Sequence, residues 1–102
     1  MTLNVVVHYS MLEEDEREPS YIPGEKLEAI RALERIRDVR KRYSRTTIFF
    51  EGFDFGNLPN ICKSSRDVTL YGCARGYCLE LSAKTLMKKG YVVSFDIDGT
   101  TF

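Results

Sequence analysis

Val5-Val6-Val7-His8-Tyr9 is a short β-branched and aromatic run that predicts a first strand over residues 3–9. A helical pattern follows over residues 25–43, and Thr46-Thr47-Ile48-Phe49-Phe50 predicts a second strand over residues 45–51. The apolar stripe of that helix consists of Ala29, Ile30, Leu33, Ile36, Val39 and Tyr43. The first half of the chain is therefore predicted to be strand, helix, strand.

The same order returns in the second half. Val68-Thr69-Leu70-Tyr71 predicts a strand over residues 66–71, and Tyr91-Val92-Val93-Ser94-Phe95 predicts another over residues 91–97. Between them, residues 77–89 are predicted to form a helix. It ends with Lys88 and Lys89 in the last turn and Gly90 as a left-handed cap.

This order predicts an α+β fold of two pseudo-equivalent βαβ units, with order βαββαβ. The expected product is a four-stranded sheet with two helices on one face, ferredoxin-like in outline. At 102 residues the chain is one domain: a first unit over residues 1–52, a connector over 53–65 and a second unit over 66–102. Neither unit can bury a sufficient core alone, so the two must pack on each other.

Residues 10–24 are predicted to form a long surface loop that carries Glu13-Glu14-Asp15-Glu16-Arg17-Glu18. The same run can also be interpreted as an acidic lid that attracts a basic partner. On the first helix, Arg31 and Arg42 lie three or four residues from Glu28 and Asp38, so its basic face is expected to be ion-paired.

Composition limits the possible partners and the location. Acidic and basic residues balance at 15 each, which removes the whole-chain electrostatic argument for a nucleic-acid or membrane partner. No basic segment precedes the apolar run at the start, and no stretch approaches the roughly 20 apolar residues of a membrane span. We expect an intracellular protein with no membrane partner.

Val92-Val93-Ser94-Phe95-Asp96-Ile97-Asp98-Gly99-Thr100 resembles motif I of the haloacid dehalogenase superfamily of phosphotransferases. The resemblance implies that Asp96 is a nucleophile and Asp98 a general acid/base, close to Mg²⁺ and phosphate. These residues do not include the Ser/Thr, the Lys and the second acidic pair that the family requires. We therefore expect a strand end and a turn at this place.

Residues 68–96, with Gly72-Cys73, Cys78, Ala83 and Gly90-Tyr91-Val92, resemble the nucleophile segment of isochorismatase-like cysteine hydrolases. The resemblance implies that Cys78 is the nucleophile, at a helix start that favours a thiolate. The family also requires a Lys, and an Asp at the end of its first strand. Here the first strand ends His8-Tyr9-Ser10, and a buried, inert thiol is the alternative reading of Cys78.

The sequence spacing does not match a metal site, and it matches an anion-binding turn or a nucleic-acid-binding sheet only in part. Cys62, Cys73 and Cys78 lack the paired arrangement of a zinc site, so no metal and no cofactor are predicted, and a disulfide among them stays open. The loop over residues 72–76 is either an anion-binding turn or simply a tight turn that needs glycine. Tyr9 and Tyr71 would be the stacking residues of a nucleic-acid-binding sheet, but the strand over residues 66–71 lacks the usual Gly/Phe-rich consensus.

Aromatic residues are numerous, and some of them have no obvious core position. Exposed aromatic rings are enriched at protein interfaces. We predict a non-enzymatic module that binds an extended polypeptide in the groove between its two units, through Phe53, Phe55, Tyr77 and Phe102. A nucleic-acid-binding viral protein and a degenerate cysteine hydrolase are the alternative functions. A second small core formed by these rings is the structural alternative.

Finally, the whole chain, from Met1-Thr2-Leu3-Asn4-Val5-Val6-Val7 to Asp98-Gly99-Thr100-Thr101-Phe102, resembles a small orphan protein of a filamentous virus that infects hyperthermophilic archaea. The resemblance rests on length, on the doubled unit and on a thermophile-like composition without Gln or Trp. It implies a setting in the host cytoplasm, with a viral or host protein as partner. It implies no catalytic residue.

Overall fold

The computed structural model describes residues 1–17 and 23–102, the side chains of residues 23 and 25 excepted. The strands are β1 (Thr2–Val7), β2 (Thr47–Phe50), β3 (Asp67–Gly72) and β4 (Val92–Thr100). The helices are α1 (Tyr9–Arg17), α2 (Pro23–Arg42), α3 (Leu58–Ile61) and α4 (Cys78–Lys88). Two 3₁₀ turns, Ser44–Thr46 and Phe55–Asn57, precede β2 and α3.

The four strands form one sheet in the order β2-β1-β3-β4, and every neighbouring pair is parallel. The predicted α+β character and the four-stranded sheet are confirmed. The ferredoxin-like outline is wrong, because that outline needs antiparallel neighbours. Whether the two strand-helix-strand halves are equivalent stays a prediction.

Helices cover both faces of the sheet, so the prediction of two helices on one face is also wrong. One core cluster joins Val5, Val7 and Leu70 to α3 and α4, and the other joins Val6 to α1 and α2. The physical reason is the handedness of the crossovers. The chain moves from β1 to β2 in one direction and from β3 to β4 in the other, so two right-handed crossovers lie on opposite faces.

The first helix replaces a predicted loop. Residues 10–24 were expected to be irregular, but α1 occupies Tyr9–Arg17. Leu12 of α1 is completely buried in the cluster on the α2 side, and Glu16 forms an ion pair of 3.7 Å with Arg37. Tertiary burial therefore stabilises a helix that has weak local signals. The rest of the predicted acidic loop, residues 18–22, lies outside the described residues.

Gly72 allows the two central strands to end side by side. It is the partner of Val7 at the end of the β1–β3 pairing, and its φ is +110°. A Cβ atom at this position would lie 1.9 Å from the carbonyl oxygen of Val7. Both the backbone conformation and the space therefore require glycine.

Gly72→Ala is expected to destabilise the protein by about 4 kcal/mol or more, since strain and a backbone clash add. Gly90→Ala is the matched control: Gly90 has a φ of +88° as the predicted cap of α4, but a Cβ there meets nothing within 4 Å. It should cost only the left-handed penalty of about 1–2 kcal/mol. Urea unfolding measures both changes, and equal losses would contradict the close approach at Gly72.

Candidate functional site

The loops that follow the four strands lie on one side of the molecule, which we call the carboxyl edge. β1 and β3 are neighbours at the centre of the sheet, and the chain leaves them toward opposite faces. In open parallel sheets this divergence leaves a crevice between the two connections, where ligands are commonly bound. The side chains that follow β1 and β3 are therefore expected next to this crevice.

His8 follows β1 and is held in an unusual conformation. Its φ is +55°, and its side chain is only 1% exposed. Nε2 lies 2.7 Å from the carbonyl oxygen of Gly52, so Nε2 is the donor of this hydrogen bond. Nδ1 has no hydrogen-bond partner within the described residues. Strained backbone of this kind is concentrated at functional sites.

Cys73 follows β3 and lies against His8. Its backbone N–H donates to the carbonyl oxygen of Val7, and its Sγ lies 3.7 Å from the carbonyl oxygen of His8. The pKa of the Cys73 thiol is raised to about 12, chiefly by burial and additionally by the nearby Asp15 carboxylate, the Cys78 thiol and the Glu51 carboxylate. Cys73 is therefore protonated at neutral pH and is a poor nucleophile.

A tight turn leads from Cys73 into α4. The carbonyl oxygen of Ala74 accepts the N–H groups of Tyr77 and Leu79, at 3.1 and 3.2 Å, and Gly76 has a φ of +84°. Cys78 is thereby placed at the first residue of α4 and is half-buried. The start of a helix favours negative charge close to it. Cys78 is thus the accessible thiol of the edge, and Cys73 is the buried one.

A cavity of about 260 Å³ opens beside both thiols. It is lined by Met11 and Asp15 of α1, by Cys73, Ala74, Tyr77 and Cys78, and by Thr101 and Phe102 after β4. Its walls are thus largely apolar, with one carboxylate and two thiols. A smaller cavity of about 80 Å³ shares Asp15, Thr101 and Phe102 and adds Glu28. This combination suits a small organic molecule better than a metal ion.

Arg75 holds residues 101 and 102 at this cavity. Its backbone N–H donates to the carbonyl oxygen of Thr101 at 2.7 Å, and its guanidinium carbon lies 3.9 Å from the centre of the Phe102 ring. This cation–π contact holds Phe102 at the cavity wall. The Nε atom of Arg75 is buried and has no hydrogen-bond partner within residues 1–17 and 23–102.

Glu51 is a residue of this edge that sequence reasoning missed. It follows β2 and accepts the hydroxyl of Ser10 at 2.6 Å and the backbone N–H of Ser10 at 3.2 Å. The carboxylate thus satisfies a free N–H in the first turn of α1. The two residues are 41 positions apart, so no local pattern could have indicated the contact. His8 and Cys73 were visible in the sequence, but their proximity depends on the pairing of β1 with β3.

All four predicted binding residues lie at the carboxyl edge, but in two groups. Phe53 and Phe55 cluster over His8, with the Phe53 ring centre 4.6 Å from the imidazole. Phe55 also packs on Phe50 and is half-buried. Tyr77 and Phe102 line the cavity instead. Six residue pairs of β1 and β3 fill the junction between the halves, so a bound segment would have to lie along the edge.

The two carboxylates of the dehalogenase-like motif do not meet at this site. Asp96 accepts the N–H of Gly99 at 2.8 Å and the guanidinium of Arg35 at 3.0 and 3.1 Å, and it lies in a distortion of β4. Asp98 is exposed. Both oxygens of Asp96 are thus engaged in structural contacts. The predicted strand end and turn at residues 96–99 is wrong, because β4 continues across the register break to Thr100.

The remaining sequence candidates have simple structural positions. Cys62, Cys73 and Cys78 are free thiols, and Cys62 is buried in the core cluster on the α4 side. In the part of the chain that the structure describes, no three His, Cys, Asp or Glu side chains are grouped to hold a metal ion. The predicted ion pairs on α2 are observed for Glu28–Arg31 and Asp38–Arg42, at 3.9 and 3.1 Å.

Compared with family models, with curated proteins and with solved structures, the chain shows no match. Among the described residues, no helix has the length and apolar character that a membrane crossing needs. The function must therefore be inferred from the geometry of the carboxyl edge.

The two thiols beside the cavity should differ strongly in reactivity. With iodoacetamide at about pH 8, Cys78 is expected to be alkylated first, because only about one Cys73 in ten thousand is a thiolate at that pH. Its raised pKa means that the Cys73 rate should increase about tenfold per pH unit up to about 12. Peptide mapping by mass spectrometry measures both rates, and urea-unfolded protein is the control. Equal alkylation rates of Cys73 and Cys78 in the folded protein would contradict the view that only Cys78 is accessible and reactive.

Proposed function

We propose that this protein holds a small carbonyl-bearing molecule in the cavity at the carboxyl edge, where Cys78 attacks the carbonyl carbon. The observation that carries the proposal is the pair of unlike thiols beside one largely apolar cavity. The topology of the sheet supports it, because the cavity lies where the connections from β1 and β3 diverge. The resemblance of residues 68–96 to cysteine hydrolases also supports Cys78 as the nucleophile.

Three groups of residues at the carboxyl edge have different roles in this proposal. The Cys78 sulfur bonds to the carbonyl carbon of an ester, the alcohol leaves with the thiol proton, and water later cleaves the thioester. Tyr77, Met11 and Phe102 provide apolar walls for the body of the ligand. His8 and Glu51 stand at the ends of β1 and β2. His8 holds the backbone of Gly52, and Glu51 holds the backbone of Ser10, next to the cavity.

An activated ester tests the proposal directly. With p-nitrophenyl acetate, the protein should release nitrophenol and gain one acetyl group on Cys78, as peptide mapping by mass spectrometry would show. Cys78→Ala should reduce the acetylated fraction to background, because the nucleophile is lost. Cys73→Ala changes the other thiol of the same cavity and serves as the matched control. Unchanged ester cleavage by Cys78→Ala would contradict the proposal.

Protein binding along the carboxyl edge is the second candidate function. The observation that favours it is that Phe53, Tyr77 and Phe102 are all exposed there, although each follows a different strand. Exposed aromatic rings on one side of a small protein commonly mark an interaction surface. An extended segment would lie across these rings, since the junction between the two halves is closed by strand pairing.

Selection of peptides from a random library tests this second candidate. Peptides that bind should lose affinity on the order of tenfold with Phe53→Ser, because an aromatic anchor typically contributes more than about 1 kcal/mol. Leu27→Ser, an equally exposed apolar residue on α2, is the control and should leave the affinity unchanged. Fluorescence anisotropy gives both values. A library without a saturable binder, or equal effects of the two substitutions, would speak against a peptide partner.

A further inference from the structure

The outer side of β4 is an unprotected sheet edge. β4 is the last strand in the order β2-β1-β3-β4, so one row of its backbone N–H and C=O groups faces away from the sheet. Two apolar residues in its first part are accessible: Val92 is 66% and Phe95 39% exposed. Proteins usually protect such an edge with lysine, proline or a bulge. We infer that a second copy of this chain pairs with it, β4 to β4, in antiparallel orientation.

Only the first part of β4 is suited to this pairing. Residues 92–95 pair with β3 one by one, whereas the register is broken between Phe95 and Thr100. The break is held by the bonds from Asp96 to Gly99 and to Arg35 of α2. Residues 92–95 contain neither proline nor a charged side chain. The irregular half therefore blocks further pairing, and the regular half remains open.

The side chains of residues 92–95 in one copy match those of the same segment in a second copy. A two-fold axis perpendicular to the sheet pairs residues of the same face, so the sum of two paired residue numbers is even. With Ser94 on the axis, Val93 lies opposite Phe95 of the second copy, and this contact occurs twice. Val93 already packs on the core of the α4 face, and alternation places Phe95 on the same face. Pairs of aromatic and β-branched residues are among the stabilising cross-strand contacts.

The carboxylate of Asp96 makes the register with Ser94 on the axis more favourable than the register with Asp96 on the axis. With Ser94 on the axis, Asp96 lies opposite Val92, and no two carboxylates face each other. A register with Asp96 on the axis would bring two identical carboxylates together, which is destabilising. Of these two registers, charge therefore favours the one with Ser94 on the axis, which uses the same patch of both copies.

Analytical ultracentrifugation over a range of protein concentrations tests the association. The unmodified protein should form a dimer, and Phe95→Lys should shift it to the monomer, because a lysine on the edge opposes pairing. Leu27→Lys is the matched control, since Leu27 is 69% exposed on α2 and should leave the dimer intact. Circular dichroism checks that each variant is folded. A monomeric unmodified protein, or a folded Phe95→Lys protein that still dimerises, would overturn the inference.

Oxidative cross-linking tests the register without disturbing the apolar contact. Ser94→Cys should form an intermolecular disulfide, because residues directly opposite each other in antiparallel strands lie within disulfide reach. Val92→Cys is the control: its two copies would be about 13 Å apart in this register, beyond that reach. Peptide mapping identifies the bonded cysteines. If Ser94→Cys does not cross-link, or Val92→Cys does so equally well, the proposed register is wrong.

Discussion

The backbone pairing of β1 with β3 is the interaction on which the rest of the structure depends. It brings the two halves of the chain together along six residue pairs and ends with Val7 opposite Gly72. At that last pair the backbones approach so closely that a methyl group has no space. Because β1 is buried on both faces, its run of valines can pack against α2 on one side and α4 on the other.

The same pairing determines the chemistry of the carboxyl edge. When β1 and β3 end side by side, the residues that follow them must meet, and these are His8 and Cys73. Cys73 is buried by this contact and keeps its proton, whereas the turn that follows carries Cys78 to the start of α4 and toward the cavity. Two cysteines five residues apart thus differ in burial, since Cys73 is buried and Cys78 is half-buried.

The carboxyl edge and the outer edge of β4 differ in shape. The carboxyl edge is concave, and the walls of its cavity come from α1, the β3–α4 turn and the end of β4. The outer edge of β4 is regular over residues 92–95. Among the described residues, it exposes unpaired backbone N–H and C=O groups there and does not line the cavity of the carboxyl edge. Asp96 belongs to the boundary between them, because its bonds to Gly99 and Arg35 end the regular strand before it reaches the cavity.

The sequence by itself determined the elements that depend on local patterns. The strands near Val5 and Val68, the long amphipathic helix and the cap at Gly90 follow from periodicity and from the conformational freedom of glycine. It did not determine parallel strands, helices on both faces, α1 or the contact of Glu51 with Ser10. Those features result from burial and from hydrogen bonds between residues far apart in the chain, and local propensity carries no information about them. Only the tertiary structure could therefore decide which of the aromatic and sulfur-containing residues share a site.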